Sequence, residues 1–298
     1  MIRKVVVPAA GLGTRLFPAT KEQPKEMLPI FTMTPHGDLV VKPVVQLVFE
    51  QLYDAGLREF CYVVGKGKRV IEDHFTPDEH CIRTLESLGK NGQVNDLQSF
   101  YDKLDSSTAM WVNQPEPKGF GNAVLMAQPF VEKESCLVHA GDSCIISKRM
   151  DYLRKLRDAF ERLNADAAFL VLEIENPTQY GIVEGDEAEP GIIKVKSVVE
   201  KPEKPKTHWA IMAMYAFRPI IFEALEKTKP GKNGEIQLTD AIQKLIDWDY
   251  KVYAVKLDRG YAHLDIGSPE RYWQALELSH QQFCKRPNHD RQNNHGRP

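Results

Sequence analysis

Arg15 follows closely on Gly11-Leu12-Gly13-Thr14, and Lys25 follows in Pro24-Lys25-Glu26-Met27-Leu28-Pro29. Ahead of both, the β-branched run Val5-Val6-Val7 ends in the small residues Ala9-Ala10-Gly11. Backbone N–H groups reach anionic oxygens only where side chains are absent. Two fixed cations can then offset the charge that a polyphosphate concentrates. The combination suits a nucleoside triphosphate, and on the loop alone an ordinary strand-to-helix turn stays open. Two familiar glycine loops are excluded. A dinucleotide site needs G-x-G-x-x-G opening a helix, but the third glycine position is Leu16 and Pro18 would break that helix. A P-loop needs Gly-Lys-Ser/Thr, and Gly13 is followed by Thr14-Arg15.

Other residues suited to chemistry lie far apart. Gln114 opens Gln114-Pro115-Glu116-Pro117-Lys118-Gly119, and its amide offers the donor and acceptor that a uracil or thymine edge requires. Gly119 would let backbone approach the same base. Asp142, in His139-Ala140-Gly141-Asp142, follows an apolar strand and either binds Mg²⁺ or caps the next element. Asp265 ends a short strand before Ser268-Pro269, an N-cap and first helical residue, and either binds Mg²⁺ or hydrogen-bonds its own turn. Glu200-Lys201-Pro202 alone would be solvated surface charge, but Tyr180-Gly181 ahead of it favours a binding role. Lys66, Lys68 and Arg69 read as solvated charges, or as an oligomer or substrate rim, ahead of phosphate ligands at a helix N-terminus, and the stretch from Glu235 to Asp240 as a capped helix start.

The elements that must position these residues alternate. Strand patterns fall at 4–8, 59–64, 110–113, 135–139 and 167–173, with helix patterns at 43–55, 68–74, 122–131 and 150–163. This order predicts a mostly parallel sheet covered by helices on both faces, with ligands at the carboxyl ends of the strands. Strand patterns at 181–184, 191–200 and 209–217 predict a small antiparallel addition, followed by helices at 237–247 and 269–280. Segment 32–41 reads as an insertion, and 79–107 as a polar, helix-compatible surface excursion. The polar stretch 285–298 is predicted to be disordered.

At 298 residues with 42% hydrophobic residues, the chain can bury a sizeable core. A net charge of −2 argues against a nucleic-acid-binding surface. No apolar run approaches a membrane span, and the start lacks a signal-peptide pattern. Five scattered cysteines, never in CxxC spacing, fit buried thiols in a reducing cytoplasm.

The stretch from Pro8 to Ile30 resembles, nearly throughout, the opening of the sugar-1-phosphate nucleotidylyltransferase family: G-x-G-T-R, an extended loop, then P-K-x-M/L-L-P. It is most similar to the bacterial and archaeal UTP–glucose-1-phosphate uridylyltransferase branch, which also shares Gly65-Lys66-Gly67-Lys68-Arg69. The resemblance covers about residues 2–278, with 32–41 and 79–107 matching least. It implies an α/β fold, a three-layer α/β/α sandwich on a mostly parallel, Rossmann-like sheet, as in nucleotide-diphospho-sugar transferases. One domain would span 1–284, with a nucleotide-binding part at about 1–147 and a sugar-binding part at about 148–284.

By the same resemblance, glucose 1-phosphate would attack the α-phosphorus of UTP, giving UDP-glucose and pyrophosphate. Arg15 would hold the pyrophosphate and Lys25 the transferred phosphoryl region. Ala10, Gly11, Gly13, Glu26, Gln114 and Gly119 would bind the nucleotide, and Gly181, Glu200 and Lys201 the sugar phosphate. Asp142 and Asp265 would hold Mg²⁺. The chain departs from the family at Ser143, where a second aspartate is usual, and at Asn122, where histidine is usual. dTTP or another sugar phosphate would satisfy the same residues, and a non-catalytic sugar-nucleotide sensor is the reading from another class. A homodimer or homotetramer is expected, with no nucleic-acid or membrane partner.

Overall fold

The computed structural model describes residues 2–34, 36–147, 150–231, 234–258 and 260–284. The expectation for 285–298 lies outside them. Strand β1 (Lys4–Ala9) leads through short 3₁₀ turns to a hairpin, β2 (Pro29–Met33) and β3 (Leu39–Pro43). Next come α1 (Val44–Asp54), β4 (Glu59–Gly65), α2 (Arg69–His74), α3 (Glu79–Ser87), α4 (Asn91–Asp105) and β5 (Thr108–Gln114). Then follow α5 (Phe120–Met126), α6 (Gln128–Val131), β6 (Cys136–His139), β7 (Ser143–Ser147) and α7 (Tyr152–Arg162). The second half adds β8 (Ala167–Glu173), β9 (Gly181–Glu189), β10 (Ile192–Glu200) and β11 (Trp209–Phe217). It ends with α8 (Ile220–Glu226), α9 (Leu238–Asp247), β12 (Val252–Lys256), β13 (Tyr261–Asp265) and α10 (Pro269–Cys284).

Among the described residues, nine strands form one sheet in the order β5-β4-β1-β6-β11-β8-β12-β10-β9. The sheet is mixed, which corrects the mostly parallel expectation. β5, β4, β1 and β6 run parallel, but β11 enters the centre antiparallel to both β6 and β8. β10 and β9 extend the far edge antiparallel. The cause is the β9–β10 hairpin, which returns the chain to the sheet without a crossover helix. β9, β10 and β11 are the three segments read as the antiparallel addition; what the uniformly apolar β11 does not disclose is its place between β6 and β8, because a strand buried on both faces reads alike wherever it sits.

Two apolar cores lie on opposite faces, and β1 shows why. Val5 and Val7 pack with Val48 and Leu52 of α1 and Leu156 of α7. Val6 points the other way, toward Val124 of α5, Leu225 of α8 and Ile242 of α9. Segment 32–41 belongs to the β2–β3 hairpin, which docks on α10: the Phe31 N–H donates to Ser279 Oγ at 3.3 Å, and the Tyr272 hydroxyl to the Pro29 carbonyl at 3.0 Å. Segment 79–107 is less superficial than its polarity suggests. α3 buries no residue, but α4 drives Phe100 into an aromatic cluster with Phe49 and Phe75.

Parallel register then delivers the site. Ala9 pairs with Val64 and Gly65 with Gln114, so the glycine loop and the Gln114 loop leave the sheet at the same edge. β13 pairs antiparallel with β7, placing Asp265 opposite Ser143. The two distant aspartates thereby become neighbours.

Candidate active site

Two cavities share the carboxyl edge of the parallel strands. The first, about 300 Å³, is lined by Ala10, Gly11 and Gly13 of the loop, and by Lys25 and Glu26. Gln114 and Gly119 close its other side, and Asp142 lies at its border. The second, about 260 Å³, is lined by Gly181, Glu200, Lys201, Asp142 and Asp265. Arg15 lines this second cavity, apart from the loop that carries it. Every residue proposed from the sequence falls on one cavity or the other. Asp142, Phe120 and Glu235 line both.

On the first side, the Gln114 amide donates to Asn122 Oδ1 at 2.7 Å and to the Gly119 carbonyl at 3.2 Å. Both amide hydrogens are thereby engaged, leaving Oε1 as an acceptor. Asn122, the departure from the family's histidine, is what fixes that orientation. Gly119 sits at φ +98°, and a Cβ there would lie 2.8 Å from the Ile236 carbonyl. The Ile236 N–H also donates to the Lys118 carbonyl at 2.8 Å, which welds this loop to the chain entering α9.

The Lys25 ammonium is hydrogen-bonded to Asp142 Oδ2. Burial opposes its charge, but Asp142 and Glu26 outweigh that and raise its pKa. Burial likewise opposes ionisation of Asp142, yet Lys25 holds its carboxyl below the usual range. Both groups therefore stay charged at neutral pH. Behind them, Lys68 Nζ donates to Glu26 Oε1 at 2.8 Å and Oε2 at 2.7 Å, with both side chains buried. This corrects the reading of Lys68 as solvated, while Lys66 and Arg69 are exposed as expected. Burial raises the Glu26 pKa and lowers that of Lys68 despite their contact. Desolvation thus outweighs the attraction within this pair.

On the second side, Glu200 Oε2 accepts from Thr239 Oγ1 at 3.0 Å, and Oε1 pairs with Lys201 Nζ at 2.9 Å. Lys201 adopts φ +43°, an uncommon conformation for a side-chain-bearing residue and typical of functional sites. A Cβ on Gly181 would lie 2.7 Å from Thr239 Cγ2, so only glycine fits there. Glu235, Gln237 and Thr239 all line the cavity, so this segment does more than begin a helix. Asp265 Oδ1 accepts from the Gly267 N–H at 2.7 Å, and Oδ2 is paired with Arg271. Arg271, Thr239 and Glu235 escaped the sequence reading. Thr239 and Glu235 lay within a stretch already noted, whereas nothing in the spacing marks Arg271.

The donor set fits a divalent cation. Two carboxylates from adjacent strand ends face one cavity, and Mg²⁺ takes one or two carboxylates together with substrate phosphates. Among the described residues no group of three or more His, Cys, Asp or Glu side chains could hold a metal alone. The substrate would have to complete such a site.

His139 sits beneath it at 2% exposure, with Nδ1 2.8 Å from the Ala140 carbonyl and Nε2 unpartnered among the described residues. Burial holds its pKa down to about 4 from an ordinary 6.5. Below pH 6.5 the unfolded chain takes up a proton that the folded chain refuses, so stability falls as pH drops from 6.5 toward 4. The loss is roughly 3 kcal/mol at about 1.36 kcal/mol per pH unit. Urea unfolding of His139→Asn, which preserves the bond to Ala140, should show a flatter pH dependence across that window. An unchanged slope would refute the assignment.

A protein-family model described as "Nucleotidyl transferase" matches residues 4–282. The chain is 40% identical over 247 residues to the UTP–glucose-1-phosphate uridylyltransferase of Bacillus subtilis, covering 82% of this chain and 80% of that one. It is 35% identical over 292 residues to the Pseudomonas aeruginosa enzyme of the same name, covering 96% and 98%. Among solved structures, a UDP-glucose pyrophosphorylase complexed with UDP-glucose superposes with a TM-score of 0.81 at 31% identity, over 96% of this chain and all of that one. A UTP-bound enzyme from Acinetobacter baumannii gives 0.80 at 28% identity, over 95% and 94%.

Proposed function

Because this chain belongs to the nucleotidyl transferase family, we propose that it forms UDP-glucose and pyrophosphate from UTP and glucose 1-phosphate. One observation carries the reading: two cavities meet at Asp142, one walled by the glycine loop, Lys25 and Gln114, the other by Gly181, Glu200 and Lys201. A nucleotide on one side and a sugar phosphate on the other would meet at that border.

A phosphate oxygen of glucose 1-phosphate attacks the α-phosphorus of UTP. The new P–O bond forms as the bond to the β-phosphate breaks, and pyrophosphate leaves. The nucleophile is already an anion, so no general base is required. The task is to align two polyanions, so positioning and charge neutralisation dominate. Gly11 and Gly13 admit the triphosphate to backbone N–H groups, and Lys25 faces the transferred phosphoryl group. Gln114 Oε1 accepts from a base bearing N3–H, as uracil and thymine do and cytosine does not. Ala10, Glu26 and Gly119 complete the nucleotide side. Glu200 accepts from sugar hydroxyls beside Gly181, Lys201 meets the sugar phosphate, and Arg15 reaches the departing pyrophosphate from the second cavity. Mg²⁺ held by Asp142 and Asp265 would neutralise charge on the phosphate oxygens.

We further assign one catalytic unit to residues 1–284, in a three-layer arrangement, working as a homodimer or homotetramer. Strands from both halves share the nine-stranded sheet, which supports a single unit. The five free cysteines suit a reducing cytoplasm. Among the described residues no helix is long and apolar enough to cross a membrane.

Pyrophosphate release across UTP, dTTP and CTP with several sugar 1-phosphates tests the proposal. UTP with glucose 1-phosphate should give the highest kcat/KM, and CTP should be poorest. Release with no pair would instead favour a sugar-nucleotide sensor.

A further inference from the structure

Each proposed metal carboxylate already carries a protein cation, Lys25 on Asp142 and Arg271 on Asp265. The two pairs differ in what the cation can do next. Lys25 rises from the glycine loop's side of the site. Arg271 leaves the first turn of α10, which the β2–β3 hairpin anchors through Tyr272. Its guanidinium lies over the Tyr180 ring at 4.6 Å and lines the cavity that Gly181, Glu200 and Lys201 share. The Tyr180 ring gives the guanidinium a second contact besides Asp265, one that does not use its N–H donors. Such a fork matches a phosphate group, offering two parallel charge-assisted hydrogen bonds.

Each oxygen of Asp265 already has a protein partner. Oδ1 takes the Gly267 N–H, and Oδ2 takes Arg271. A divalent cation seated on Oδ2 would compete with the guanidinium for that oxygen and repel its charge. If the guanidinium turns instead to an arriving phosphate, both conflicts end together.

We propose that Arg271 is a ligand of the sugar phosphate, and that it occupies Asp265 in the empty site, so that phosphate binding and cation binding assist one another. The proposal rests on the reading of Asp265 as a metal carboxylate in a sugar-phosphate transferase. Linkage makes the assistance reciprocal: whatever sugar-phosphate binding does for the cation, the cation does for sugar-phosphate binding.

The test uses the full-length protein with two variants, Arg271→Met and Arg271→Gln. Glutamine can still donate a hydrogen bond to Asp265, which keeps the start of α10 in place if methionine disturbs folding. Mn²⁺ titration of the protein saturated with UMP, whose phosphate completes the metal site but leaves the sugar-phosphate position empty, followed by electron paramagnetic resonance, should show tighter binding by about tenfold in both variants, which lose the competing cation. Calorimetry without metal should show UDP-glucose binding weakened by about tenfold, with UMP, which lacks the sugar phosphate, unchanged. Equal Mn²⁺ affinity in wild type and variants, or equal weakening of UMP and UDP-glucose, overturns the proposal. Asp265→Asn separates it from the reading beneath. If that variant binds Mn²⁺ as wild type does, the metal assignment falls and this proposal with it. If only that variant loses Mn²⁺ while the Arg271 variants match wild type, the metal assignment stands and Arg271 alone is refuted.

Discussion

Lys25→Met should lower kcat for pyrophosphate release by roughly 10²–10³, the scale seen when one preorganised donor to a developing charge is removed. The ammonium lies 3.5 Å from where a Cβ on Gly11 would stand, so it hangs directly over the loop proposed to cradle the triphosphate. Charge on the transferred phosphoryl and the departing oxygens grows as the bond to the β-phosphate breaks. A cation fixed there stabilises the transition state more than the bound substrate, so kcat should fall more than KM for UTP rises. The change also strips Asp142 of the partner that keeps its carboxyl below the usual range. In the variant, the acidic limb of the pH–rate profile should therefore move to higher pH. Steady-state rates from pH 5 to 9 would show both effects. A kcat within threefold of wild type would remove Lys25 from the reaction.

Lys25 also shows what a sequence can disclose. Its neighbours, a small-residue turn before it and prolines around it, were local, and local chemistry survives transfer into the fold. Gly11, Gly13, Gln114 and Gly119 were legible for the same reason: each follows a strand, and strand ends in parallel register gather at one edge. The pairing of Asp142 with Asp265 needed the resemblance, because their approach depends on β13 joining β7, a contact across 122 residues of chain that no periodicity encodes. The central place of β11, between β6 and β8, was hidden for a similar cause. Arg271 was invisible because its meaning lies in Tyr180 and Asp265, met only after folding. Lys68 was misread because charge in a Gly-Lys-Gly-Lys-Arg stretch looks solvated until a buried carboxylate appears opposite it.

That carboxylate yields the sharpest stability prediction. Lys68→Met should cost roughly 3–5 kcal/mol at neutral pH, the usual penalty for leaving one member of a buried pair without its counter-charge. Glu26 is 1% exposed and receives both of its side-chain hydrogen bonds from Lys68. Burial already raises its pKa with Lys68 present, so losing Lys68 must raise it further. The folded variant then binds a proton that the unfolded chain releases above its own carboxyl pKa. Its deficit should accordingly be largest at high pH and shrink as pH falls toward 5. The double variant Glu26→Gln/Lys68→Met should recover most of the loss, because an amide beside a thioether leaves no charge to desolvate. Denaturant unfolding of the four proteins of this cycle at pH 5 and pH 8 measures all three effects. A double variant no more stable than Lys68→Met would mean that the lysine acts through packing alone. Recovery of stability without recovery of turnover would show the other half of the design. Glu26 also helps to hold the charge on Lys25, so the buried pair serves the cation above it while contributing little net stability of its own.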